Sequence, residues 1–244
     1  MERLLELLEG SSYTAAMTGA GISTLSGIQD FRGKNGFYKT DPDADKVFDI
    51  VWFQRDPSLY YRKSRNLIYD LESKQPNIIH RELARWEKGG RLKGVITQNI
   101  DLLHQKAGSR EIAEVHGSPA FHDCLSCGKT YPFAEVVELL KTAEAAFCPA
   151  CGGVIKPRIT FFGESLPVQA LNLAVRHAEQ ARLLLVLGTS LTVYPAAGLP
   201  DYTLSNGGRV VIVNSDPTPF DRRAAAVYRD LGEVFEFLSR RFLI

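Results

Sequence analysis

Tyr13-Thr14-Ala15-Ala16-Met17-Thr18-Gly19-Ala20-Gly21-Ile22-Ser23-Thr24 is the stretch on which the fold turns. An uncharged run passes straight into Gly-x-Gly, the pattern of a buried strand that turns sharply at its carboxyl end. Glycines at such a turn let the backbone bend tightly and approach a phosphate. The segment lacks the third glycine of the usual dinucleotide fingerprint. It also lacks a clear acidic partner for a ribose about twenty residues on. An ordinary hydride-transferring dehydrogenase is therefore disfavoured.

Outward from this turn, five more apolar or β-branched runs read as strands: Gly94–Thr97, Ile112–His116, Ile155–Phe162, Leu183–Leu187 and Arg209–Val213. Helical patterns over Ile79–Lys88, Val168–Gln180 and Leu231–Phe242 fall between or after them. Strands alternating with helices predict an α/β fold, a doubly wound parallel sheet. Two stretches break the alternation. Residues 32–80 carry no strand signal and read as a loop followed by aromatic-rich helix, with Trp52, Phe53, Tyr60 and Tyr61. Residues 118–156 hold all four cysteines. Both are expected to be insertions, which leaves 1–31, 81–117 and 157–244 as the sheet domain.

The composition narrows the class. The chain has 244 residues, 45% hydrophobic and 23% charged, with a net charge of +1. It can bury a sizeable core, and its balanced charge argues against direct nucleic-acid or anionic-membrane binding. No apolar run approaches the ~18 residues of a membrane span. The glutamate-rich start, Met1–Glu9, reads as an amphipathic helix and not a signal peptide. A cytoplasmic setting is the expectation, and there cysteines are thiols or metal ligands more often than disulfides.

Small polar residues end the other strands: Gln98-Asn99-Ile100-Asp101, His116-Gly117, Gly188-Thr189-Ser190 and Asn214-Ser215-Asp216. Ligands of open parallel sheets bind beyond the carboxyl ends of strands, so this set predicts a ligand site. His116 is the best base candidate, since an imidazole titrates near neutrality. His80 and His177 sit in helical patterns and read as structural. His104 is ambiguous, and His122 is a spare candidate ligand near the cysteines.

Cys124-x2-Cys127 and Cys148-x2-Cys151 are two knuckles with the spacing of a tetrahedral zinc site. Four thiolates leave no open position, so the metal is expected to be structural. A nucleic-acid-binding ribbon is disfavoured, because residues 118–156 hold three Lys and no Arg against four acidic residues.

Taken in order, these motifs resemble the sirtuins, the NAD-dependent protein-lysine deacylases. The likeness rests on Gly19-Ala20-Gly21-Ile22-Ser23, Ser26-Gly27-Ile28, Asp30-Phe31-Arg32-Gly33, Thr97-Gln98-Asn99-Ile100-Asp101, His116-Gly117, the two Cys pairs, Phe161-Phe162-Gly163-Glu164 and Gly188-Thr189-Ser190-Leu191. It spans essentially the whole chain. It implies a Rossmann-like domain carrying a helical module and a zinc-ribbon module, with NAD as co-substrate and an acylated-lysine protein as partner.

It also implies roles. Gly19, Ala20, Gly21, Ser23, Thr24, Asp30, Phe31 and Arg32 would form the cofactor turn and loop. Gln98, Asn99, Ile100 and Asp101 would hold the nicotinamide end, with Asn99 and Asp101 beside His116 in the chemistry. Ser190 and Asn214 would meet the adenosine half, Gly188 and Thr189 would also bind the cofactor, and Asp230 would contribute backbone near the adenine. Thr160, Phe162, Gly163 and Val193 would bind the acyl-lysine segment as an added strand. The implied products are free lysine, nicotinamide and O-acyl-ADP-ribose, with His116 as general base. Gln29 stands where the family usually has Pro, and Thr160 replaces a more usual Val or Ile. The acidic-acyl signature Tyr-x-x-Arg is absent, although Tyr61 and Arg65 share a helical face. Acetyl is the expected acyl group. An ADP-ribosyltransferase or NAD glycohydrolase is the alternative for the same pocket.

Overall fold

The computed structural model describes residues 1–242. Its main sheet has six strands, all parallel: β1 (Thr14–Thr18), β2 (Leu92–Thr97), β3 (Ile112–Glu114), β7 (Leu183–Leu187), β8 (Arg209–Val213) and β9 (Ala226–Tyr228). Their order across the sheet is β3-β2-β1-β7-β8-β9. The chain winds outward from β1 in one direction, then returns to the other side of β1 and winds the opposite way. The strand order thus reverses between β1 and β7, the place where a parallel sheet leaves a crevice beyond its strand ends.

Both faces of the sheet are buried, which is why its strands read as continuous apolar runs. Side chains alternate along each strand. Ala16, Leu185 and Val211 pack against helices Glu2–Glu9, Ile78–Lys88 and Leu231–Arg241. Ala15, Met17, Leu184, Val186 and Ile212 pack against helix Val168–Gln180 and its neighbours. Asn77 caps helix Ile78–Lys88 by accepting from the Ile79 amide, and Asp230 caps the last helix by accepting from that of Glu233.

A second, antiparallel sheet has the order β5-β4-β6, from β4 (Gly117–Cys124), β5 (Thr130–Pro132) and β6 (Ile155–Ile159). Here the sequence reading is corrected. The run Ile155–Phe162 does not join the parallel sheet. It supplies an edge strand of the small one, where Pro157 costs no interior ladder bond. The run Ile112–His116 is likewise shorter than expected, because the chain leaves the parallel sheet after Glu114 and enters β4 at Gly117. Strand β9 went unread, since three residues show no period.

The two inserted stretches share one core. Phe37, Phe48, Phe53, Tyr60 and Tyr61 from the first pack with Tyr131, Phe133, Val136, Ile155 and Phe161 around the second. The Tyr61 hydroxyl donates to the Ile155 carbonyl at 2.6 Å, and that of Tyr69 meets His122 Nε2 at 3.0 Å. The crevice lies between this helical and cysteine-bearing layer and the carboxyl ends of the parallel strands.

Candidate active site

The crevice is a cavity of about 680 Å³. At its base the turns after β1 and β7 touch. The Gly21 amide donates to the Gly188 carbonyl at 2.9 Å, and Gly188 holds a left-handed φ of 61°. A Cβ on Gly19 would lie 2.7 Å from that carbonyl, and one on Gly188 would lie 2.5 Å from the Ile22 amide nitrogen. Only glycines let the two strand ends close to this distance and leave their backbones facing the cavity.

The turn after β2 forms the next wall. Asn99 Nδ2 donates to the Gly19 carbonyl at 3.1 Å and to Ser23 Oγ at 3.2 Å, and Ser23 Oγ donates to Asp101 Oδ2 at 2.6 Å. Asp101 also accepts from the Leu103 amide at 2.9 Å. Burial raises the Asp101 pKa, and the Ser23 hydrogen bond works against that rise. Gln98 Nε2 donates to Thr189 Oγ1 at 2.9 Å, which joins the β2 turn to the β7 turn.

His116 sits on the two-residue crossing from the parallel sheet to β4. Its Nδ1 lies 3.0 Å from the Gln98 carbonyl oxygen. A carbonyl only accepts, so Nδ1 carries the proton and Nε2 is the bare ring nitrogen. Burial holds the pKa below 6.5; the Gln98 carbonyl raises it and Arg32 lowers it. The imidazole is therefore neutral, and competent as a base, at pH 7.

The loop after Gly27 closes one side. Asp30 Oδ1 accepts from the Gly33 amide at 2.8 Å, and the Arg32 guanidinium lies 4.8 Å from the centre of the Tyr38 ring. Gln29, at the position where the resembled family usually has proline, donates to the Asn35 carbonyl at 2.8 Å and to Thr40 Oγ1 at 3.0 Å. Side-chain hydrogen bonds thus tie this loop where a ring would have stiffened it. The opposite mouth carries Phe162, Gly163, Val193 and Tyr194. The Phe162 backbone is already engaged, with its amide donating to Phe48 and its carbonyl accepting from Ile50.

A family model described as "Sir2 family" matches residues 19–195. The NAD-dependent protein deacetylase of Thermotoga maritima is 45% identical over 240 residues, which cover 98% of this chain and 96% of that one. The chain belongs to the Sir2 family. A solved Sir2 variant with a deacetylated p53 peptide and 3′-O-acetyl-ADP-ribose superposes with a TM-score of 0.92 at 44% identity, covering 98% of this chain and 96% of its own. Another, described as Sir2 with p53 peptide and NAD+, gives 0.89 at 43% identity with the same coverage.

Of the expected catalytic, cofactor-binding and peptide-binding residues of this sirtuin, the cavity brings together Gly19, Ala20, Gly21, Asp30, Phe31, Arg32, Gln98, Asn99, Ile100, His116, Thr160, Phe162, Gly163, Gly188, Thr189, Ser190, Val193 and Asn214. Four are not on its wall. Ser23 and Asp101 lie behind it and brace Asn99. Thr24 is exposed and donates to the Gly21 carbonyl. Asp230 is spent on the helix cap, where its carboxylate completes the first turn. Tyr38, Phe48, Ile159 and Leu171 line the cavity too, and no local pattern marks them, because each is an apolar or aromatic residue that reads as core.

The cysteine Sγ atoms form a separate cluster, all within 4.8 Å of one another. Cys124 and Cys151 are 3.4 Å apart, Cys127 and Cys148 3.7 Å. A tetrahedron with Zn–S bonds of about 2.3 Å has edges of roughly 3.8 Å, so this donor set fits one structural zinc. Gly128 and Gly152, with φ of 73° and 74°, make the knuckle turns. His122 is not part of it: the cluster holds the four cysteines alone, and His122 Nε2 meets the Tyr69 hydroxyl.

Proposed function

We propose that this sirtuin is an NAD-dependent protein-lysine deacylase, acting on acetyl-lysine, that yields free lysine, nicotinamide and O-acyl-ADP-ribose. The observation that carries the reading is a neutral histidine with a bare Nε2 on the wall of a cavity that joins the glycine strand-end turns to a mouth lined by Phe162 and Val193. The glycine turns and the single cation Arg32 fit a dinucleotide diphosphate, and the Thermotoga maritima relative carries the same activity in its name.

NAD supplies an electrophilic ribose carbon once its nicotinamide departs. The protein's share is positioning, water exclusion and one proton transfer. Asn99, locked by Gly19 and Ser23, holds the ribose end in place, and oriented binding of this kind lowers the barrier before any bond changes. Phe31 and Ile100 keep water from the reacting centre. His116 Nε2 accepts a proton from a ribose hydroxyl, and the Gln98 carbonyl steadies the imidazolium that results. The acyl-lysine segment enters as an added strand between Gly163 and Val193, where main-chain pairing makes sequence preference weak.

A cytoplasmic setting accords with reduced, metal-binding cysteines. Among the described residues no helix is long and apolar enough to cross a membrane. The decisive experiment is mass spectrometry of the purified enzyme with NAD and an acetyl-lysine peptide. Acyl-dependent nicotinamide release with O-acetyl-ADP-ribose supports the reading. Release independent of acyl peptide makes it an NAD glycohydrolase instead.

A further inference from the structure

Behind the cavity wall, a line of buried hydroxyls connects a histidine outside the site to the turn that holds His116. His104 is fully enclosed, and its Nε2 lies 3.0 Å from Thr18 Oγ1. Thr18 Oγ1 donates to Thr97 Oγ1 at 2.9 Å, and Thr97 Oγ1 accepts from the Asn99 amide at 3.1 Å. Thr18 spends its single proton on Thr97, so it must accept from His104. His104 is therefore the Nε2–H tautomer, and its Nδ1 has no protein partner. His80 packs against it at 4.9 Å between ring centres.

The same two threonines hold the β2 turn by their backbones. The Thr18 carbonyl accepts from the Gln98 amide at 3.0 Å, and the Thr97 carbonyl accepts from Val115, the residue before His116, at 3.0 Å. His104 itself lies two residues after Leu102, which sits at a positive φ of 61° that a leucine adopts only when its surroundings demand it. The relay is buried and continuous, and each bond in it fixes the next.

We propose that His104 is a positioning residue: through Thr18 and Thr97 it sets the β2 turn, and so holds the Gln98 carbonyl against His116 Nδ1. This deepens the deacylase reading and rests on it for its functional consequence, but its physical content is a statement about His116 that needs no turnover. Burial keeps His104 neutral, with a pKa pushed down to about 3, so the relay persists throughout the working pH range. The charged side chain acting on His116 is Arg32; Asp30, Glu164 and Asp216 also line the cavity. None is altered by the variants below.

The test is Thr18→Val, which cuts the relay while preserving shape, with Thr18→Ser as the conservative control. The imidazole titrations of the five histidines are followed by NMR, with His116→Gln assigning the His116 signal. Losing a hydrogen bond to the charged form should lower the His116 pKa by roughly half a unit or more in Thr18→Val, and Thr18→Ser should restore it. The acid limb of kcat/KM should move to lower pH by the same amount, with kcat/KM falling about tenfold. Nitrogen shifts should report Nε2–H for His104 in the parent protein. If Thr18→Val fails to fold, Thr97→Val breaks the relay one link later and is read identically. A folded variant whose His116 titrates as in the parent overturns the proposal. So does lost activity with an unmoved acid limb, since a merely structural defect would give that. A parent protein that binds NAD but shows no acyl-dependent nicotinamide release would instead sink the deacylase reading and leave the titration result standing.

Discussion

His116 combines a fixed tautomer with a depressed pKa, and the two together define its expected behaviour. Below the folded pKa the ring is protonated and cannot accept, so kcat/KM should fall with pH along a limb whose midpoint lies under 6.5, read from a pH–rate profile of the free enzyme. His116→Ala should retain NAD binding by calorimetry and lose ~10²–10⁴-fold in deacylation. Near-parent turnover would remove the residue from the proton transfer. The place of Arg65 bears on which acyl group the pocket should accept. Arg65 does not enter the cavity; it is exposed, and its guanidinium donates to the Ala143 carbonyl at 2.7 Å. The Tyr61 hydroxyl is spent on Ile155. A succinyl carboxylate would thus meet Phe31, Phe48, Ile159 and Phe162 with no cation from this helix. Acetyl peptide should exceed succinyl peptide in kcat/KM, and Arg65→Ala should leave the ratio unchanged. Succinyl turnover that matched acetyl and vanished in Arg65→Ala would refute both the preference and the helix face.

The strand ends and knuckles are where single elements can be broken. Gly188→Ala places a Cβ at a positive φ and 2.5 Å from the Ile22 nitrogen, so either β7 or the turn after β1 must shift. The expected loss is roughly 2–4 kcal/mol of stability, with a raised KM for NAD. Thermal unfolding and NAD kinetics check both, and an unchanged KM would separate this turn from cofactor binding. In the small sheet, the cysteines stand on both sides of β4: Cys124 ends that strand, and Cys148 and Cys151 precede β6, its antiparallel partner. Metal analysis should return one zinc per chain. Chelation, or Cys148→Ala, should lower the unfolding temperature and activity together, since ligation energy is folding energy here. Full activity in metal-free protein would detach the cluster from the peptide groove.

Across the whole molecule, burial of histidines sets the acid stability. His80, His104 and His122 are held neutral by burial, with pKa values pushed down to about 4, 3 and 3. Each has a folded pKa below its unfolded value near 6.5, so the unfolded chain binds more protons as pH drops. Stability is therefore full above about 6.5 and is lost progressively below it, by up to about 1.4 kcal/mol per pH unit for each ring. Unfolding temperatures at pH 7.5, 6 and 5 should fall accordingly, and a flat profile would contradict the burial. The sequence by itself determined the parallel sheet, its glycine turns, the histidine at the strand end and the paired cysteines. These are local: a continuous apolar run, a Gly-x-Gly and a Cys-x2-Cys are each written within a few neighbouring residues. Only the tertiary structure decided that Ile155–Phe162 leaves the parallel sheet, that the two stretches on either side of residues 81–117 share one aromatic core, and that Tyr38 and Phe48 face the crevice while Asp230 does not. Those outcomes depend on which distant surfaces bury one another, and an aromatic residue in a packed core and one on a cavity wall have the same local sequence.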